Sequence, residues 1–268
     1  MADHLTGTTY HPTYDPAASV ARIRDLHRSL TPDGGVLAGV DLDLCAGQVV
    51  ALMGRRGSGK TTLLRALARL DQEVVGHGTL RAPTSVAVLG DEPRLLGWRR
   101  ILDNVTSGLE DPDSLDRGRH ALAEVGLAGR ELDWPGDLDA GEQHRAAIAR
   151  ALAGSPELVL ADEPFRRLDA LTQRGLHRLV RTVCGNHRLA VLFVTNDVHE
   201  AITLADRVVT LRDGRVHRDL AVRVSGAVPV ADEYAALRSL LLGEIGIGAA
   251  TDSAVADHRA VRPRRETA

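Results

Sequence analysis

Val49-Val50-Ala51-Leu52-Met53-Gly54-Arg55-Arg56-Gly57-Ser58-Gly59-Lys60-Thr61-Thr62 decides the fold. Five consecutive apolar residues read as a buried strand. Three glycines follow, and then Leu63, Leu64, Leu67 and Leu70 recur at helical spacing. A glycine-rich loop between a buried strand and a helix, ending in Gly59-Lys60-Thr61, is a complete phosphate-binding loop. Its glycines let backbone N–H groups converge on phosphates, and the helix N-terminus adds a favourable dipole. Lys60 is placed to reach the β and γ phosphates of a nucleotide, and the Thr61 hydroxyl to ligate Mg²⁺. Gly54, Arg55, Arg56, Gly57, Ser58, Gly59, Lys60, Thr61 and Thr62 are therefore the candidate residues for ATP.

Composition sharpens this reading. Every basic residue of the 268-residue chain is arginine except Lys60. The two are interchangeable on most solvated surfaces, but a planar guanidinium does not replace a compact ammonium inside a tight phosphate loop. A net charge of -3 and 3% aromatic residues argue against a nucleic-acid partner. Cys45 and Cys184 lack metal-ligand spacing, so a reducing compartment fits. No apolar run approaches the ~18 residues of a membrane span, and the N-terminus lacks the basic and apolar regions of an export signal. The expectation is a chain that neither spans a membrane nor is exported.

Outward from the loop, Val40, Leu42 and Leu44 alternate on one strand face before a turn at Gly47. Apolar runs at 85–89, 158–161, 189–195 and 207–211 alternate with helical stretches, which predicts an α/β fold with a mainly parallel sheet. Between about Pro93 and Gly154 the alternation stops, and helices are expected at 101–109, 114–125 and 142–152. Residues 1–20 read as a flexible arm, 221–246 as a helical extension and 247–268 as a disordered tail.

Leu158-Val159-Leu160-Ala161-Asp162-Glu163 is an apolar strand ending in two carboxylates. Asp162 is the candidate for the Mg²⁺ shell, and Glu163 the candidate general base for an attacking water. Asp162-Glu163-Pro164 is followed by Leu168-Asp169 and preceded by Leu138-Asp139-Ala140-Gly141-Glu142-Gln143 with Arg145. The set resembles the Walker B, D-loop and signature motifs of ABC ATPases over roughly residues 20 to 215. Glu92-Pro93-Arg94-Leu95-Leu96-Gly97-Trp98 and Leu102-Asp103-Asn104-Val105 are most similar to importers of the aliphatic sulfonate, taurine and nitrate type. The resemblance implies a P-loop NTPase core at 21–220, with an antiparallel β subdomain and a helical subdomain at about 93–154. It also implies two ATPase subunits, identical or different, sandwiching two ATP molecules head to tail. Each site pairs one subunit's phosphate loop with the other's signature, including Asp139 and Gly141. Permease subunits at the cytoplasmic face of the membrane and, indirectly, an extracytoplasmic solute-binding protein complete the implied assembly. Trp98 and Leu96 are either permease contacts or core.

The departures from the family pattern cluster at the γ-phosphate. Asp91, a further candidate Mg²⁺ ligand, stands where the resemblance implies a glutamine that senses Mg²⁺ and water, and Asn196 stands where it implies a histidine; both are candidate catalytic residues with Glu163. Asp139 replaces a serine hydroxyl donor. A carboxylate ~4 Å from a phosphate oxygen would repel it by roughly 4 kcal/mol at an effective dielectric of about 20. Asp139 also suits the N-cap of the following helix, with Glu142 completing a capping box, and this role is favoured. Near the implied adenine-stacking position lies Leu30, with no aromatic. The expected behaviour is ATP binding with slow or partner-dependent hydrolysis. Two readings stand: a transport ATPase, and a degenerate nucleotide-gated subunit that binds ATP with little turnover. A DNA-repair ATPase would carry a long coiled coil between its Walker motifs, for which the insertion is too short.

Overall fold

In the computed structural model, which describes residues 19–31, 34–71, 74–222 and 231–246, two long antiparallel strands come first. They are β1 (Ser19–Thr31) and β2 (Gly34–Cys45). A turn at Gly47 leads into β3 (Val49–Gly54), whose six residues are all buried, and the phosphate loop hands it to α1 (Lys60–Leu67). β4 (Thr79–Arg81) pairs with the free edge of β1, giving a small sheet ordered β2-β1-β4. β5 (Val86–Leu89) opens the larger sheet. Then come α2 (Ile101–Val105), α3 (Ser114–Glu124) and α4 (Ala140–Ala153), with a 3-10 turn at Pro135–Asp137. β6 (Leu158–Asp162), α5 (Ala170–His187), β7 (Ala190–Val194), α6 (Val198–Leu204), β8 (Arg207–Arg212), β9 (Arg215–Ala221) and α7 (Ala231–Ile245) complete the order.

The larger sheet runs β5-β6-β7-β3-β8-β9, parallel except for β9. β3 is an interior strand, and its alternating side chains serve two cores. Val49, Ala51 and Met53 pack with helical residues such as Ile101, Leu122 and Ile148, while Val50 and Leu52 pack with Leu63 and Leu67 of α1 and with the small sheet. A parallel strand buried on both faces has to be apolar throughout, which is why 49–53 carries no polar residue. Helices cover this sheet, and the C-terminal ends of β3, β6 and β7 open at one edge, where doubly wound sheets bind ligands.

Several boundaries differ from the sequence reading. α2 ends at Val105 rather than 109, because the Thr106 hydroxyl bonds back to the Leu102 carbonyl and Gly108 turns the chain at φ 86°. α4 starts at Ala140 rather than 142, because Asp139 caps it. The expected arm ended at 20, but Ser19 and Val20 belong to β1; residues 1–18 lie outside the described residues, as does the tail at 247–268. The β2-β1-β4 sheet is the antiparallel subdomain that the resemblance implied, although the apolar pattern located neither β1, β4 nor β9. Repeated register shifts against β2, with Asp25 at φ 46°, break the period-2 pattern of β1 that would have exposed it. Cys45 and Cys184 are buried and form no disulfide. The Cys184 thiol donates to the Leu189 carbonyl, and burial pushes its pKa up to about 12. Among the described residues no helix is long and apolar enough to cross a membrane.

Candidate active site

The phosphate loop curls over the end of β3 with Gly54, Gly57 and Gly59 at φ 149°, 82° and 102°. Gly54 and Gly59 are fixed by space as well as by dihedral. A Cβ on Gly54 would come 2.3 Å from the Leu211 carbonyl oxygen, and one on Gly59 would come 2.6 Å from Leu37 Cδ2. The loop thus lies against β8 and β2, and α1 begins directly at Lys60. The Lys60 ammonium is buried and donates to the carbonyls of Gly54 (2.7 Å) and Arg55 (2.9 Å). Burial holds its pKa below the ordinary lysine value, while Glu163 and Asp162 pull it back up.

Asp162 ends β6 beside the start of α1, and Thr61 Oγ1 donates to Asp162 Oδ2 at 3.3 Å. Burial raises the Asp162 pKa; the Thr61 bond and Lys60 oppose that, while Glu163 and Asp91 add to it. Glu163 sits just past the strand at φ 48°, its N–H on the Val194 carbonyl (3.0 Å). Asn196 Nδ2 donates to Glu163 Oε1 at 2.8 Å, and Arg166 Nη1 donates to Oε2 at 2.9 Å. A left-handed non-glycine residue costs of order 1–3 kcal/mol and persists where its surroundings impose it. Here the sheet and two side-chain donors impose it.

These groups line one cleft of about 890 Å³, shared by Arg56, Gly57, Gly59, Lys60, Thr61, Thr62, Asp162, Glu163 and Asn196. Other site expectations fall elsewhere. Gly54 and Ser58 form the back of the loop, with Ser58 Oγ 2.8 Å from where a Gly54 Cβ would stand. Arg55 is a correction: its guanidinium lies over Gly246, at the end of α7, so only its backbone faces Lys60. Asp91 is outside the cleft lining, 3.4 Å from Arg167. The side chain of Leu30 lies outside the described residues.

Asp139 and Gly141 are likewise away from the chain's own cleft. Asp139 Oδ1 accepts from the Glu142 N–H at 2.7 Å and Glu142 Oε2 accepts from the Asp139 N–H at 3.0 Å, a reciprocal capping box. Asp139→Ala should therefore lower stability by about 1 kcal/mol, and Asp139→Ser should leave it nearly unchanged. Urea denaturation of both variants checks this, and equal loss in the two would rule out the cap.

Three features escaped sequence reasoning. Arg166 enters the cleft from the turn after β6, signalled only by its i,i+3 spacing from Glu163. Thr195 donates to buried Glu200, tying the end of β7 to α6. Buried Asn104 holds the segment leading to Trp98 by accepting from the Leu96 N–H and donating to the Leu96 carbonyl, while Trp98 itself is 76% exposed.

The ABC transporter family profile matches residues 37–166. The chain is 52% identical over 229 residues to the aliphatic sulfonates import ATP-binding protein SsuB 2 of Nocardia farcinica, covering 85% of this chain and 95% of the relative. It is 57% identical over 201 residues to the protein of the same name from Streptomyces avermitilis, covering 75% and 80%. The chain belongs to the ABC transporter ATP-binding subunits. As a solved counterpart, a dimeric ATP-binding cassette in a post-hydrolysis state with ADP and Pi superposes with a TM-score of 0.62 at 25% identity, over 76% of this chain and 99% of that one. The Clostridium perfringens cassette cbiO1 shares the fold, with a TM-score of 0.70 at 20% identity over 77% of this chain and 90% of that one. The cleft of this ABC ATPase brings together Lys60 and Thr61 with Asp162 at the end of β6 and Glu163 just past it.

Proposed function

We propose that this ABC ATPase energises import of aliphatic sulfonates by binding and hydrolysing Mg-ATP on behalf of a membrane permease. The observation that carries the solute class is the high identity, over most of both chains, to two sulfonate import ATP-binding proteins. In this reading residues 21–220 are the ATPase domain, with 93–154 as its helical part and 221–246 as an extension. The protein works at the cytoplasmic face of the membrane.

The residues fit Mg²⁺. Thr61 Oγ1 and Asp162 Oδ2 converge at 3.3 Å, and a cation between them would offset the burial that otherwise raises the Asp162 pKa. Thr61 and Asp162 would hold the ion, and Asp91 is a candidate for its outer surroundings. Bound there, Mg²⁺ would supply charge neutralisation on the β and γ phosphates. Backbone N–H groups of 57–62 cradle the phosphates, and Lys60 exchanges its two carbonyl partners for phosphate oxygens. Glu163 orients and deprotonates the attacking water, with Asn196 fixing one carboxylate oxygen.

Asp139 and Gly141 lie outside the cleft that holds Lys60, which supports a second ATPase subunit, the same or different, completing each site with its signature helix. Trp98, exposed on a segment pinned by Asn104, is the contact we assign to the permease. The test is ATP hydrolysis by the subunit reconstituted with its permease in proteoliposomes, with solute-binding protein and candidate solutes. Stimulation by alkanesulfonates is expected. Stimulation by nitrate alone would reassign the solute, and no stimulation by any solute would favour a nucleotide-gated partner subunit instead.

A further inference from the structure

We propose that Arg166 and Arg167 are a charge-balancing pair for the hydrolytic end of the site, Arg166 positioning Glu163 and Arg167 neutralising Asp91. The inference rests on the ATPase reading and deepens it. Asp162 and Glu163 both face Lys60, Asp91 adds its charge toward Asp162 from outside the cleft lining, and a nucleotide brings further negative charge. Left alone, that set would oppose its own ligand. The turn after β6 supplies two guanidinium groups in succession, directed to different partners. Arg166 Nη1 reaches Glu163 Oε2 at 2.9 Å inside the cleft, while Arg167 turns toward Asp91 Oδ2 at 3.4 Å and onto Glu92.

The backbone fixes this arrangement. The Arg166 N–H donates to the Glu163 carbonyl at 3.3 Å, and the Glu163 N–H to the Val194 carbonyl at 3.0 Å, so the i,i+3 spacing is set before any side chain moves. Glu163 thus has each carboxylate oxygen held by a separate donor, a neutral amide on one and a guanidinium on the other. Two donors leave the carboxylate one orientation toward a water, where a single donor would let it swing. The Arg166 side chain is 70% exposed against 23% for Glu163. An exposed ion pair of this kind adds little to stability, so its removal should be silent in folding and visible only in turnover.

The experiment measures kcat and KM for Mg-ATP with the full-length chain, alongside thermal melting. Arg166→Ala should lower kcat on the order of tenfold with KM and melting temperature nearly unchanged. Arg166→Lys should recover most of that loss. Combined with Glu163→Gln, Arg166→Ala should cost nothing further, because its effect passes through Glu163. Arg167→Ala should instead raise KM by exposing the Asp91 charge to the nucleotide. An Arg166→Ala enzyme with wild-type kcat, or one whose loss adds fully to that of Glu163→Gln, overturns the proposal and leaves the ATPase reading intact. A wild type with no turnover above Glu163→Gln, alone and when reconstituted with its permease, overturns both.

Discussion

Glu163→Gln should lower Mg-ATP turnover by about 100-fold or more while leaving nucleotide binding close to wild type, since a positioned general base contributes roughly 10²–10⁴. The substitution keeps shape and hydrogen bonding while removing the charge that accepts a proton. Asn196 Nδ2 can still donate to the amide oxygen, and the left-handed turn at φ 48° is unaffected by the change. Lys60, Thr61 and the loop backbone, the proposed phosphate ligands, lie on α1 and the β3–α1 loop, so affinity should survive. Steady-state hydrolysis with a separate nucleotide-binding titration distinguishes the two effects. If turnover persists, the proton is taken by another group, and Asp162 is the nearest candidate.

Lys60→Ala should act the other way, on binding first. The ammonium is buried, so whatever it contacts is attracted through a medium that screens poorly. Truncating one partner of a buried, hydrogen-bonded charge pair costs about 2–5 kcal/mol, and about 3 kcal/mol corresponds to a loss of affinity on the order of 100-fold. Folding should suffer less. Lys60 is held mainly by the carbonyls of Gly54 and Arg55, and those atoms can turn to water in the open cleft. A pH signature should accompany the wild type. Burial sets the Lys60 pKa below the usual lysine value, so the charged form is lost earlier as pH rises, and ATP affinity should fall in the alkaline range. Isothermal titration with ATP for both proteins across that range checks this. A wild-type affinity for Lys60→Ala would place the phosphates elsewhere.

The parts legible in the sequence are those in which one stretch of chain fixes both position and chemistry. The run 49–62 contains its strand, its turn glycines, its helix start and its proposed phosphate ligands, so reading it required nothing distant. Asp162 and Glu163 were legible for the same reason, at the end of an apolar strand. Arg166 was not, because a surface arginine near an acid is common, and only the turn geometry aims it at Glu163. Asp91 and Arg167 are far apart in sequence, and nothing local predicts that they meet. The small antiparallel sheet was implied by the resemblance, but periodicity located only β2, because β1 is bulged and β4 has only three residues. Asp139 was legible as a cap, since a capping box is written in four consecutive residues.

The solitary lysine has a use of its own. Apart from the amine at the start of the chain, Lys60 Nζ is the only primary amine the protein offers to acylating reagents, and it is 8% exposed at the floor of the cleft. Covalent labelling of that amine therefore becomes an occupancy meter. If the proposed nucleotide covers it, that amine should be acylated more slowly with ATP present than without, and a peptide mass spectrum can follow the difference in a mixture with other proteins.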